Sequence, residues 1–418
     1  MSAAVAAPLA SNAALDVARV REDFPILTHE VYNKPLVYLD SAASAQKPRV
    51  VIDAESRVYE EEYANVHRGV HYLSQVATDK FEATRKRIQT FLNAADENEI
   101  VFVRGGTEGV NLVAQSWGRA NLREGDEILI SELEHHANIV PWHLLAAERG
   151  LVVRGIPIHD DGQIDMEAYK GLLNERTKMV ALTQMSNALG IITPAAEMIA
   201  LAHDVGAKVM LDGCQAVSHS AVDVQALDCD FYVFSGHKIY GPTGIGALYG
   251  KAELLEAMPP WQGGGEMIAR VSLEKSTYKG VPHRFEAGTP AIAQTIALKS
   301  ALDYVTDLGL DRIAEHEAML LNYATERLNA MGGITIYGTN AAKASIVSFT
   351  MDGVHPHDIG TIVDRDGIAV RVGHHCAQPV MQRYDIAATV RASFAVYNTL
   401  EEVDALVASL QGVKEMFA

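Results

Sequence analysis

The sequence predicts an α/β fold with a largely parallel sheet, followed by a smaller α+β unit, and three observations carry that reading. Short apolar runs of strand length alternate with amphipathic helical stretches as far as residue 305, the pattern of βαβ units. Polar residues suited to chemistry (Thr107, His135, Asn187, Asp212, Ser235, His237 and Lys238) fall at or just beyond the ends of those runs, where open parallel sheets place their sites. Beyond residue 305 the alternation stops and the elements follow a different order. The expected organisation is a flexible extension over residues 1–20, a large domain over 21–305 and a small C-terminal domain over 306–418. The first residues of the large domain have the option of packing with the small one.

Taken in order, the extension is alanine-rich, with no charged side chain before Asp16, and helix is expected from near Ala13. It lacks the positive start of a secretory signal. Residues 36–40 read as a strand leading into the small-residue turn Ser41-Ala-Ala-Ser-Ala, and a helix is expected over 48–63. The non-periodic segment Asn65-Val-His67-Arg68-Gly-Val-His71 reads as an exposed loop or as the wall of an active site. Residues 99–103 form the next strand, followed by Arg104-Gly-Gly106-Thr107-Glu-Gly and a helix over 110–117. Strand, glycine turn and helix N-terminus make a cradle for one anionic group, from free N–H groups and the helix dipole. The spacing is neither a P-loop nor a dinucleotide fingerprint.

Further strands are expected over 127–131, 151–158, 179–185 and 208–212, with Thr193 and Pro194 opening a helix to about Val205 as N-cap and N1. Adjacent His135 and His136 share no helix face and no ligand spacing follows them, so no metal is expected. The strand Phe231–Ser235 delivers Gly236-His237-Lys238 and a glycine-rich turn. A lysine at the end of a buried strand suits an amine nucleophile or Schiff-base residue, and equally a side chain that snorkels to water. Segments 263–267 and 285–290 read as loops before a helix from Pro290 to about Leu308. The small domain is expected to hold helices over 311–331 and 357–365, strands over 334–337, 345–351 and 368–372, and a last helix capped by Thr399.

Composition narrows the function. A net charge of −18 with no offsetting basic stripe argues against nucleic acid as partner. No apolar run reaches membrane-spanning length, and a cytoplasmic location is expected. Three cysteines form no disulfide framework. Cys214 and Cys229 read as packing residues. Cys376 lies instead in the loop Arg371-Val-Gly-His374-His375-Cys376-Ala-Gln-Pro, where neighbouring cations favour a thiolate.

A lysine, an upstream strand-end aspartate, a histidine and a phosphate cradle together suit pyridoxal phosphate, with the aspartate keeping the ring nitrogen protonated. The segments Val-Arg-Gly-Gly-Thr-Glu-Gly, Glu-His-His-Ala-Asn-Ile-Val-Pro-Trp, Met-Ser-Asn-Ala-Leu-Gly, Asp-Gly-Cys-Gln-Ala-Val, Ser-Gly-His-Lys and Gly-His-His-Cys-Ala-Gln-Pro resemble the group II cysteine desulfurases. The likeness is greatest to those of the SUF iron–sulfur assembly system. It runs from about Val20 to the C-terminus and implies an aspartate aminotransferase-like fold (fold type I) with a seven-stranded sheet. It also implies a homodimer, L-cysteine as substrate, alanine as product and a SUF sulfur-acceptor protein as partner. The resemblance implies Lys238 as the covalent cofactor residue, Asp212 on the ring nitrogen, Gln215 on the ring oxygen and His135 stacked on the ring. It implies Gly106, Thr107, Ser235 and His237 around the phosphate, with Thr289 reaching across from a second subunit. Asn187, Arg391, Arg371 and His67 fall to the substrate, and Cys376 accepts the sulfur. Two positions depart from the pattern: Gly106 replaces a common threonine, and Cys214 a common alanine or serine, the latter expected to be without consequence. A selenocysteine lyase on the same scaffold is the alternative. A class V aminotransferase gives Cys376 no role, and a silent scaffold gives none to Lys238 and Asp212.

Overall fold

The computed structural model describes residues 14–417. Seven strands make the main sheet: β1 (Ile100–Val103), β2 (Glu127–Ser131), β3 (Val152–Ile156), β4 (Thr177–Thr183), β5 (Lys208–Asp212), β6 (Phe231–Ser235) and β7 (Gly246–Gly250). Their order is β1-β7-β6-β5-β4-β2-β3. All pairings are parallel except those of β7, which runs antiparallel to both β1 and β6. Alternate residues face opposite sides, as a strand period of two requires. Phe102, Leu129, Leu182, Leu211, Tyr232 and Phe234 enter one core, and Val101, Ile128, Met210, Phe231 and Val233 the other. A sheet covered on both faces accounts for its near-continuous apolar strands.

The small domain is a four-stranded antiparallel sheet. Its strands β8 (Ile334–Tyr337), β9 (Ile346–Met351), β10 (Arg371–Gly373) and β11 (Thr389–Ser393) lie in the order β8-β9-β11-β10. Helices Leu310–Met331, Pro356–Asp364 and Leu400–Met416 cover it around a separate core that includes Leu320, Phe349, Val390 and Leu406. Thr399 and Glu402 form a capping box on the last helix. The chain changes domain at Gly309, whose φ of +86° separates helix Ile292–Leu308 from helix Leu310–Met331. Near the N-terminus, Val37–Tyr38 pairs in parallel with Ile368–Ala369 and Asp40 bridges to Ser393. That segment therefore belongs to the small domain in space.

Several elements differ from the sequence expectation. Residues 1–13 of the expected extension lie outside the described residues; its last part is not free, because the helix expected from near Ala13 is present as Val17–Glu22 with Val20 buried. Arg21 anchors it on the Tyr397 carbonyl and, at 2.8 Å, on Glu402. Thr193 does not cap its helix: its hydroxyl donates to the Thr183 carbonyl (2.9 Å), and Pro194 takes the cap position. The expected strand over 368–372 is two short pieces in two different sheets. Strand β7, the exposed hairpin Ile268–Val271/Ser276–Tyr278 and helix Tyr72–Leu92 were not expected.

Helix Tyr72–Leu92 matters to the site because it carries Arg85, only 2 % exposed. The guanidinium grips Glu286 through two bonds of 2.7 and 2.9 Å and Glu82 at 2.7 Å, and donates to the Ile100 carbonyl at 2.8 Å. Glu286 in turn accepts from the Phe102 N–H at 2.8 Å. One buried cation thus ties a helix, a loop and the strand that ends in the glycine cradle. Burial alone would raise the Glu286 carboxyl, but Arg85 more than offsets this and holds it at about 2. A depressed carboxyl stabilises the fold above its unfolded value, and that contribution fades as pH falls towards 2.

Arg85→Met leaves Glu286 buried without its cation, and the expected loss is about 3 kcal/mol in a denaturant unfolding titration at neutral pH. A loss below about 1 kcal/mol, the level of exposed ion pairs, would deny Arg85 this anchoring role.

Candidate active site

One cavity collects residues from both domains where the parallel strands end. Gly106, Thr107, His135, Asn187, Asp212, Ser235, His237, Lys238, Arg371, Cys376 and Arg391 all line it, together with Ala42, Ala43, Ala137, Cys214 and His375. Eleven residues implicated by sequence therefore converge, although they are scattered over 286 positions (391 − 106 + 1).

Asp212 ends β5 and is buried; its Oδ1 accepts from the Cys214 N–H at 2.9 Å. Among the described residues no donor reaches Oδ2, which leaves that oxygen for a cationic N–H in the cavity. The next residue must be glycine, because a Cβ at Gly213 would lie 1.9 Å from the Tyr232 ring and hydroxyl. Lys238 closes a single 3-10 turn, Gly236–Lys238, that leaves β6 directly. His135 accepts from the Ala137 N–H through Nδ1 at 3.0 Å, so a neutral ring carries its proton on Nε2. Burial first, and Lys238 second, push its pKa down to about 4. His135 is therefore neutral at physiological pH.

The anion cradle sits at the first turn of helix Gly106–Val113, after Gly105 at φ +150°. Ser235 Oγ accepts from the Gly106 N–H at 2.9 Å, leaving its own proton to be donated elsewhere. His237 lies beside it, pushed down to about 4 by burial and then by Lys238 and Lys47. A Cβ at Gly106 would lie 2.6 Å from Cys214 Sγ. The two departures from the family pattern are therefore one steric exchange: the sulfur occupies the space that a side chain at 106 needs. This corrects the expectation that Cys214 has no consequence. Backbone N–H groups, two hydroxyls, an imidazole, a buried carboxylate and an amine form a donor set that fits pyridoxal phosphate.

Arg391 forms the opposite wall. It is 2 % exposed, with Nη2 on Asp40 at 2.9 Å and Nη1 on the Asn187 carbonyl at 2.8 Å. Its buried Nε has no partner among the described residues. Burial lowers its pKa while Asp40 opposes the shift; a guanidinium stays charged throughout. Arg391 lines the cavity, and a guanidinium there suits an anion, a carboxylate matching its fork. Arg371 lines the same wall, exposed and without a carboxylate in ion-pair range among the described residues.

Cys376 enters from the small domain. His375 and Cys376 are consecutive non-glycine residues in the left-handed region, at φ +53° and +56°. Asn187 Nδ2 donates to the His375 carbonyl at 2.6 Å, and the His136 N–H to the Cys376 carbonyl at 2.7 Å. Large-domain groups thus hold the small-domain loop over the cavity. His375 is not one of the cations expected beside the thiol: burial, followed by Arg391 and Arg371, pushes it down to about 2. The two arginines supply the positive charge.

Three implicated residues stand apart. The Gln215 amide donates to the Ala42 carbonyl at 2.7 Å, and Ala42 is the residue that lines the cavity. Thr289 lies in a separate cleft with Arg104, Glu108, Trp261 and Gln262. His67 pairs with Glu82 at 2.8 Å and with Glu266 at 3.7 Å. Sequence reasoning missed Asp40, the partner of Arg391, and Lys47. Lys47 donates to the His237 carbonyl at 3.0 Å, and burial pushes it down to about 8. Both flank the Ser41-Ala-Ala-Ser-Ala turn, and a charged residue on each side of such a turn was the available signal.

Comparison with known proteins agrees with this geometry. The profile of the aminotransferase class-V family matches residues 37–406. A cysteine desulfurase from Klebsiella pneumoniae is 56% identical over 401 residues, covering 96% of this chain and 98% of that protein. A cysteine desulfurase from Synechococcus elongatus is 55% identical over 399 residues; the match covers 96% of this chain but only 64% of that longer protein. Among solved structures, the cysteine desulfurase CsdA from Escherichia coli, in an S-sulfonic acid form, superposes with a TM-score of 0.88. It shares 41% identity, over 96% of this chain and 99% of that one.

The Gly106–Cys214 exchange is testable by cofactor titration followed by absorbance. Gly106→Thr is expected to weaken retention about 10-fold through overpacking, and Gly106→Thr with Cys214→Ala to regain it. Equal loss in both variants would remove the steric coupling.

Proposed function

The chain belongs to the class-V aminotransferase family, as a pyridoxal phosphate-dependent cysteine desulfurase, and from that premise we propose how its residues divide the work. L-cysteine gives up its sulfur to Cys376 as a persulfide, alanine leaves, and the persulfide sulfur passes to an acceptor protein that feeds iron–sulfur cluster assembly of the SUF type. The observation that carries this reading is the convergence of Cys376 with Lys238 and Asp212 on one cavity. Family membership accounts for the lysine and the aspartate; a cysteine brought in on a loop from the other domain needs a further reason.

When bound, the cofactor supplies an electron sink for the substrate Cα. Lys238 is the residue that would hold it covalently, while Asp212 would pair with its ring nitrogen and Gly106, Thr107, Ser235 and His237 would receive its phosphate. Arg391 and Arg371, which line the cavity with Cys376, receive the substrate carboxylate and so aim its side chain at Cys376. The Lys238 amine, once free, takes the Cα proton. Neutral His135 offers Nε2–H as a donor on the same side. The Cys376 thiolate attacks the substrate sulfur. The new S–S bond forms as the Cβ–S bond breaks, and its electron pair stays with the carbon skeleton, which two protons complete as alanine.

We assign the working unit as a homodimer. Thr289 sits in a cleft away from its own chain's cavity, which suits a residue serving a second copy, and a dimer would give His67 the same opportunity. No group in the cavity selects selenium over sulfur, and the relatives are desulfurases, so cysteine is the substrate assigned.

Cys376→Ser is expected to keep the cofactor absorbance of the wild type. Its alanine production from L-cysteine, assayed by mass, should fall at least about 100-fold. Unimpaired alanine production by that variant would remove Cys376 from the reaction.

A further inference from the structure

The loop that carries Cys376 holds a backbone conformation that non-glycine side chains disfavour at two successive positions, so something must fix it. Two imidazoles do so as hydrogen-bond acceptors. His374 Nδ1 accepts from the Cys376 N–H at 3.1 Å, and His136 Nε2 accepts from the Gln378 N–H at 3.2 Å. The two rings face each other, with centroids 5.4 Å apart and planes tilted by 38°. One ring comes from the loop itself and the other from the large domain, just past β2. Together they grip the turn from both sides of the domain boundary.

We propose that His136 and His374 are positioning residues forming a proton-sensitive clasp on the Cys376 loop, closed only while both rings present a lone pair to the backbone. This rests on the reading of Cys376 as sulfur acceptor. Protonation converts an imidazole nitrogen from acceptor to donor, so a proton on either ring turns an N–H···N bond into an N–H facing an N–H. Two protonated rings at this separation also repel.

The surrounding charges are already committed. Glu134, from the segment of His136, is held by Ser131, Asn138 and Thr183, and burial pushes its carboxyl up to about 8, so it carries no charge at neutral pH and below. Arg391 from β11 is held by Asp40, and Arg383 from helix Gln378–Arg383 by Asp160. His135 and His375 are neutral, both pushed far below the ordinary imidazole value. Arg371 on β10 adds positive charge near the loop, and Cys376 adds negative charge when ionised. Among the described residues no carboxylate lies within ion-pair distance of either clasp ring. Burial and then His374 lower the His136 pKa, which favours the accepting form. A group lowered in the closed state keeps the loop closed above the ordinary imidazole value of about 6.5. It releases the loop as pH falls below that value.

The test separates acceptor chemistry from mere bulk. In holoenzyme, His374→Asn and His136→Gln keep an acceptor oxygen near the lost nitrogen but cannot be protonated there; His374→Ala and His136→Ala keep nothing. Two readouts apply: persulfide formation on Cys376 in a single turnover across pH 5.5–8.5 (a range chosen to span about 6.5), and deuterium uptake by the peptide containing residues 374–381 at one fixed pH. The alanine variants are expected to form persulfide about 10-fold more slowly at all pH values, with faster deuterium uptake and unchanged cofactor absorbance. The amide variants are expected to match wild type at high pH and to lose part of its decline at low pH. Alanine variants with wild-type rates and uptake, or amide variants that share the whole acid decline, would overturn the clasp. Deuterium uptake does not depend on which residue receives sulfur, so failure of the clasp is distinguishable from failure of the Cys376 reading.

Discussion

The structure depends most on one buried guanidinium. Arg391 lies on the small-domain sheet, yet its bonds run to Asp40 on the N-terminal segment and to Asn187 on the large domain. Asn187 then holds the His375 carbonyl, so three chain segments and the nucleophile loop share one charge. Burying such a group is costly unless its donors are matched. Here all but Nε are placed against protein, and Nε, buried as well, has no partner among the described residues. Arg391 also lines the cavity, so the charge that ties these segments together borders whatever binds there. Binding and the alignment of the two domains are therefore a single electrostatic problem.

Around that node the division of labour follows topology. The parallel strands deliver Asp212 and Lys238 from their ends, and the β1 turn delivers the anion cradle. All of these belong to a rigid sheet buried on both faces. Cys376 comes from elsewhere, on a loop whose backbone is strained by about 1–2 kcal/mol per left-handed residue. Hydrogen bonds from Asn187 and His136 offset that strain only when the domains are packed as found. Lysine and aspartate alone define a cofactor site common to many reactions. The loop makes this one suited to carrying sulfur.

Much of this was legible in the sequence, because buried strands are short apolar runs and site residues follow their ends. Asp212, Ser235 and Lys238 were found that way, and Thr399 announced the last helix. The misses have physical causes. Strand β7 starts and ends in glycine and follows a glycine-rich turn, so it was given no element, whereas its pairing with β1 and β6 makes it a strand. Helix Tyr72–Leu92 buries Ser74, Thr84 and Arg85 among its apolar residues, which breaks the stripe that periodicity detects. The hairpin at 268–278 is largely exposed and carries no alternation to read. The Gly106–Cys214 exchange, 108 positions apart (214 − 106), exists only in three dimensions. Asp40 and Lys47 flank a turn of small residues that carries no chemical signal of its own, and only the fold brings them to Arg391 and His237.

The central claim is that Cys376 takes the sulfur of cysteine. Its most direct test is to mix the purified holoenzyme with one equivalent of L-cysteine, without acceptor, and analyse both products by mass. The account predicts one added sulfur atom on the peptide containing Cys376 and an equal amount of alanine, with Cys214 and Cys229 unmodified. Alanine formed in full with Cys376 unmodified, or the added sulfur located on another cysteine, would contradict it.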